Sequence, residues 1–164
     1  MLQRPFPTKY KNILFRSRLE ARWAAYFDLD KIPWDYEPAI NFSGWIPDFS
    51  LTMGRLKVYI EIKPVDLYYK IPMRGLEKPF AKAINHCKGI YLLLLGLEPI
   101  YDYTEVLSIP GILITDTDDS ADHIKSVKTL EEMLARKSDK AMEQWREAGN
   151  LTRWKKPKIR KRKH

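Results

Sequence analysis

Three side chains in the stretch WIPDFSLTMGRLKVYIEIKP, residues 45–64, have the types and spacing for hydrolytic chemistry: Asp48, Glu61 and Lys63. The segments WIPDFSL and RLKVYIEIK alternate apolar and polar residues around a turn at Met53, Gly54 and Arg55, which predicts a β-hairpin. Successive strand side chains point to opposite faces. Leu56, Val58, Ile60 and Ile62 therefore share one face, and Lys57, Tyr59, Glu61 and Lys63 the other. On the first strand Phe49 and Leu51 belong to the apolar side, which turns Ile46, Asp48 and Ser50 toward Glu61. A turn centred on residues 53–55 sets Asp48 opposite residues 59–61, where paired side chains lie about 5 Å apart.

Two carboxylates that close repel each other unless a cation lies between them, and all-oxygen ligation suits a hard ion such as Mg²⁺ or Mn²⁺. A lysine beside them can orient or deprotonate an attacking water, or offset charge growing on a phosphoryl group. The expected chemistry is metal-assisted hydrolysis of a phosphodiester. Taken alone, Glu-x-Lys is more often an ordinary solvated strand face, and Asp48 could be a turn residue or an ion-pair partner of Lys63. The coincidence of Pro47-Asp48, the hairpin spacing and an acidic Glu20 on the preceding segment favours the site.

The elements that must position these residues follow from periodicity. Phe15, Leu19, Trp23, Tyr26 and Phe27 recur at amphipathic-helix spacing, and Glu20 borders that stripe with Ala24 and Phe27. IPWDYEPAI, bounded by prolines, predicts a short strand near a sheet edge. RGLEKPFAKAINHC places Leu76, Phe80, Ala83, Ile84 and Cys87 on one helical face, with Pro79 either kinking the helix or marking its start. GIYLLLLG reads as a central strand buried on both sides, and GILITD as another strand. TLEEMLARKSDKAMEQWREAGN reads as one helix with a Thr129–Glu132 capping box and a Gly149-Asn150 stop. Helix, strands, helix, strand, strand, helix predicts an α/β protein with a three-layer α/β/α sandwich around a mixed sheet.

FRSRLEARW, WIPDFSL and YIEIKP, in that order, resemble the PD-(D/E)XK nuclease superfamily, in particular its small phage and prophage members, over about residues 13–95. The resemblance implies a restriction-endonuclease-like core of order α-β-β-β-α-β. It implies that Asp48 and Glu61 bind Mg²⁺ or Mn²⁺ directly, with the Ile62 carbonyl as a further ligand. Lys63 would be the catalytic lysine, and Glu20 would reach the metal directly or through water. For Glu20 a surface pair with Arg16 is the plainer alternative. Beyond Lys63 the family pattern is looser. Arg74, Lys78 and Lys82 are candidates for a phosphate path, although such spacing is more often a solvated helix face.

The net charge of +8 is concentrated at one end. RWKKPKIRKRKH, residues 153–164, holds eight of the 29 basic residues, and the remaining 21 equal the 21 acidic residues. The expected division is a single domain over 1–152 and a basic, disordered tail over 153–164. A polyanion is the tail's natural partner through Arg153, Lys155, Lys156, Lys158, Arg160, Lys161, Arg162 and Lys163; a merely solubilising end is the alternative. Cys87 stands alone, so neither a disulfide nor a thiolate metal cage is available. No apolar run is long enough for a membrane span, no secretory signal is visible, and a cytoplasmic setting is expected, in a bacterial host if the resemblance to phage and mobile-element proteins holds. TDTDDSADH lacks the Gly and the terminal Glu of a calcium loop, and there is no phosphate loop for a nucleotide.

The function expected is therefore a metal-dependent nuclease on DNA, more readily an endonuclease, in recombination, repair or genome processing of a mobile element. RNA stays open as a substrate, and a homodimer is expected if branched DNA is cut. The alternative, from another class, is a nucleic-acid-binding module that keeps the fold and cuts nothing.

Overall fold

The computed structural model describes residues 5–67, 73–102, 107–115 and 120–153. The expected hairpin is present. β4 (Phe49–Met53) and β5 (Leu56–Ile62) run antiparallel with Phe49 opposite Ile60 and Met53 opposite Leu56. Gly54 takes φ 63° at the first position of the two-residue turn, as a II′-type hairpin requires and as glycine alone tolerates without strain.

Around this pair lies a six-stranded mixed sheet of order β3-β4-β5-β6-β7-β8. β3 (Trp34–Tyr36) is the edge strand expected from its prolines. β6 (Tyr91–Asp102) pairs parallel with β5, which requires a crossover. That crossover carries α2 (Met73–His86), in which Pro79 lies inside the helix rather than at its start. β6 runs well beyond the apolar run, through an irregularity between Leu95 and Ile100, and turns antiparallel into β7 (Leu107–Ile114). Pro99 falls within that irregularity, where a missing amide does least harm.

Alternate residues of β6 feed two apolar cores. Leu93 and Leu95 join Phe49, Leu51, Val58, Ile60 and the helical Trp23, Phe27 and Trp145. Leu92 and Leu94 join Trp45, Phe80, Ala83 and Cys87. Both faces of the strand are dry, which is why the run has no polar alternation.

Two sequence expectations need correction. The first helix, α1 (Arg18–Leu29), starts after Phe15, because residues 8–15 form a hairpin of β1 (Thr8–Tyr10) and β2 (Ile13–Phe15). Phe15 still reaches the core, but from a strand. The C-terminal segment is not one helix: α3 (Ala121–Leu134) and α4 (Ser138–Leu151) are separated by β8 (Arg136–Lys137), which pairs with β7. Ser120 caps α3, accepting from the His123 amide, whereas Thr129 sits mid-helix and its hydroxyl donates to the Lys125 carbonyl. The apolar period carries on through the break; the half-buried Arg136–Asp30 ion pair (2.9 Å) helps fix the interruption. Among the described residues no helix is long and apolar enough to cross a membrane.

Candidate active site

Asp48 stands immediately before β4, and its backbone is tied on both sides. Its amide donates to the Ile60 carbonyl, and its carbonyl accepts from the Glu37 amide, both at 2.9 Å. The β4–β5 register, continued by one residue, brings it beside Glu61. Asp48 and Glu61 are both buried, and Lys63 is partly exposed beside them.

Every oxygen of the carboxylate pair has a partner. Asp48 Oδ2 accepts from the Ile62 amide at 2.7 Å and Oδ1 from Arg16 Nη2 at 2.5 Å. Glu61 Oε2 accepts from the Trp45 indole N–H at 2.8 Å, and Oε1 from Lys63 Nζ at 2.5 Å. A strand residue's amide and carbonyl face the same neighbour, so the Ile62 carbonyl opens toward β4, on the side of Asp48. The Ile62 side chain belongs to the apolar core.

Burial is the main influence raising the Asp48 carboxyl, to about 7; the Glu61 carboxylate adds to it and the Ile62 amide opposes it, with Glu20 raising and Lys63 lowering it further. A carboxyl raised first by burial and then by a neighbouring carboxylate gives up its proton less readily than a free one, even with Arg16 and Lys63 beside the pair. Such perturbed groups gather at functional sites, although buried ion-pair networks produce them too.

Glu20 lies on the first turn of α1, next to this pair but engaged elsewhere. Ser17 caps the helix by accepting from the Glu20 amide (3.1 Å), and its hydroxyl donates to Glu20 Oε1 (2.9 Å). Tyr36 donates its hydroxyl hydrogen to Glu20 Oε2 at 2.7 Å. The Arg16 pairing weighed for Glu20 exists only as a loose contact of 3.8 Å. Burial, followed by the bond to Glu20, raises the Tyr36 phenol to about 12.

Tyr36 and Trp45 are site residues that the sequence did not point to, and Arg16, considered there only as a surface partner of Glu20, is a third. Arg16 spans the acids, with Nη2 on Asp48 and Nε on Glu37 at 3.0 Å. Burial works against its charge, but the Tyr36 hydroxyl and the Asp48 and Glu20 carboxylates outweigh it and hold its pKa above the usual arginine value. Trp45 closes a tight turn in which its amide and carbonyl pair with those of Phe42, with Ser43 and Gly44 at positive φ. The Ser43-Gly44 dipeptide was a readable turn signal for this feature. The Ser17-Arg18-Leu19-Glu20 spacing, that of a capping box, likewise marked the start of α1.

The structure thus brings Asp48, Glu61 and Lys63 together, with Glu20 alongside. Lys78 and Lys82 are exposed on α2, and no described contact joins them to the carboxylates. Arg74 falls within α2, but its side chain lies outside the described residues. Arg153 is exposed just past α4, and Lys155, Lys156, Lys158, Arg160, Lys161, Arg162 and Lys163 lie outside the described residues.

Among the described residues no three His, Cys, Asp or Glu side chains gather tightly enough to hold a metal ion on their own. A hard ion that keeps several waters asks for less, one or two carboxylates. Asp48 and Glu61, with the Ile62 carbonyl, could supply that donor set, while Arg16 and Lys63 serve as their counter-ions. No protein-family model, curated protein or solved structure matches the chain.

Proposed function

We propose that the chain is a metal-dependent nuclease acting on DNA, with Asp48, Glu61 and Lys63 as its reacting core. The carrying observation is the buried Asp48–Glu61 pair at the open end of a hairpin, with an amine on one of the two acids. The order of α1, β3, β4, β5, α2 and β6 is the one expected of a restriction-endonuclease-like core, and the three-layer α/β/α arrangement belongs to the same reading.

Asp48, Glu61 and the Ile62 carbonyl would hold Mg²⁺ or Mn²⁺, with Glu20 turning from Tyr36 to reach it through water. The ion, when bound, lowers the pKa of a water and offsets charge on the phosphoryl oxygens. Lys63 has its ammonium on Glu61 at 2.5 Å, so it is held where it can orient that water or offset the charge growing on the phosphoryl group. Attack on phosphorus breaks the bond to the 3′ oxygen, leaving 5′-phosphate and 3′-hydroxyl ends. Trp45 fixes Glu61 by its indole hydrogen bond and keeps solvent from that flank.

One observation favours a second reading. With Arg16 on Asp48 and Lys63 on Glu61, the acids already have cations. A scaffold that binds nucleic acid through its tail and cuts nothing would look like this too. The experiment is incubation of the protein with linear, nicked, branched and single-stranded DNA in Mg²⁺ or Mn²⁺, alongside Asp48→Ala, Glu61→Ala and Lys63→Ala. Cleavage should vanish in the first two. In the third, turnover should fall about 10²-fold or more with DNA affinity nearly intact. Cutting retained by both acid variants would rule out the site, and no cutting by the parent would leave the binding scaffold.

A further inference from the structure

We infer that Arg16 is a displaceable counter-ion: its guanidinium occupies the seat on Asp48 Oδ1 that a divalent ion takes, and the ion's arrival redirects it to a phosphate oxygen of the substrate. This rests on the nuclease reading and adds a residue and a sequence of events to it.

The geometry carries the inference in three steps. Arg16 uses different nitrogens for its partners. Nη2 meets Asp48 at 2.5 Å, and Nε meets Glu37 at 3.0 Å. Loss of the first contact therefore leaves the second, and the side chain stays at the mouth of the site.

The anchor at Glu37 is built rather than incidental. Glu37 holds a left-handed backbone, φ 44°, and its amide is bonded to the Asp48 carbonyl. A non-glycine residue in that region is strained and persists only where its surroundings impose it. The strained residue is the one that presents the second carboxylate to Arg16.

The side chain is also exposed to solvent while its backbone is held. The Arg16 side chain is 60% exposed, against 8% for that of Asp48. The Arg16 amide donates to the Tyr36 hydroxyl at 3.1 Å, and the next residue caps α1. A swing needs only rotation about side-chain bonds. A planar, forked cation with nitrogens released toward solvent suits a phosphate oxygen.

The test is Mn²⁺ binding, followed by the loss of the free-ion paramagnetic resonance signal, to the full chain and to Arg16→Gln, Arg18→Gln and Asp48→Asn. Arg18 is an exposed neighbour, and its variant measures the general effect of removing one positive charge. Arg16→Gln should bind Mn²⁺ about fivefold or more tightly than the parent, Arg18→Gln much less so, and Asp48→Asn should lose binding. At saturating Mn²⁺, Arg16→Gln should nonetheless cleave DNA more slowly in a single turnover, having lost the phosphate contact. A gain no larger than that of Arg18→Gln overturns the inference while parental Mn²⁺ binding leaves the nuclease reading standing. Faster cleavage at saturation overturns it as well, by making Arg16 a plain inhibitor. Absence of Mn²⁺ binding in parent and Arg16→Gln alike removes both readings.

Discussion

Raising the pH should destabilise the metal-free protein through Asp48. This carboxyl stands at about 7 in the folded chain against an ordinary 3.8, chiefly because burial and the neighbouring Glu61 disfavour its charge. Between those two values the folded state binds a proton that the unfolded state has lost, so stability is highest near pH 4 and declines as pH rises through 7. Above 7 the loss is complete. A rise from 3.8 to about 7 corresponds to a ceiling of about 4 kcal/mol, at 1.36 kcal/mol per tenfold change in ionisation. The Arg16 guanidinium 2.5 Å from Oδ1 favours the ionised form and offsets part of this, so the expected effect is about 2 kcal/mol. Urea unfolding in EDTA from pH 5 to pH 8, for the parent and for Asp48→Asn, reports the contribution of Asp48 with its coupling to Glu61, Glu20 and Lys63, since more distant titrating groups cancel in the difference. The variant should gain on the parent by about 0.6 kcal/mol across that range, the larger part of the change falling below pH 5. Adding Mg²⁺ at pH 8 should restore the parent, by about 2.7 kcal/mol at a hundredfold excess over Kd, and leave the variant unchanged. Parallel curves for the two proteins from pH 5 to 8 would refute the argument.

Two further expectations concern stability and binding. Trp45→Phe removes the donor to the buried Glu61 Oε2 and should cost about 1–3 kcal/mol in urea unfolding; a loss below about 0.5 kcal/mol would mean that solvent replaces the indole. Truncation after Thr152 removes eight basic residues and should weaken DNA binding at low salt, flattening log affinity against log salt by up to roughly seven units, at about 0.9 per phosphate. Affinities measured at several salt concentrations decide this, and parallel slopes with unchanged affinity would assign the tail to another partner or to solubility.

Local regularities were legible. The period-two pattern of residues 45–63 predicted the hairpin and the shared face of Asp48 and Glu61, because a strand offers each side chain only two directions. The four leucines 92–95 announced the central strand for the same reason, both directions being dry. Where a pattern continued through a break, the reading failed. Residues 129–150 keep a helical period across β8, and nothing local reveals that Arg136 would meet Asp30 and interrupt it. Phe15 fits the helical stripe by spacing, yet Ser17 ends the strand and starts the helix two residues later.

The sequence by itself determined which acids share a sheet face with Lys63, since alternation and turn length leave no other register that keeps Phe49, Val58 and Ile60 buried. Only the tertiary structure decided what neutralises those acids. Arg16 is 32 residues from Asp48 along the chain, and Trp45 is 16 from Glu61. The junction between β2 and α1, set beside Asp48, and the tight turn at residues 42–45 bring them together. Those placements depend on packing between elements, with the Trp23 indole fixed to the Gly96 carbonyl as one anchor. A hydrogen bond between residues distant in sequence has no period, so its partners become known only once the elements have been assembled.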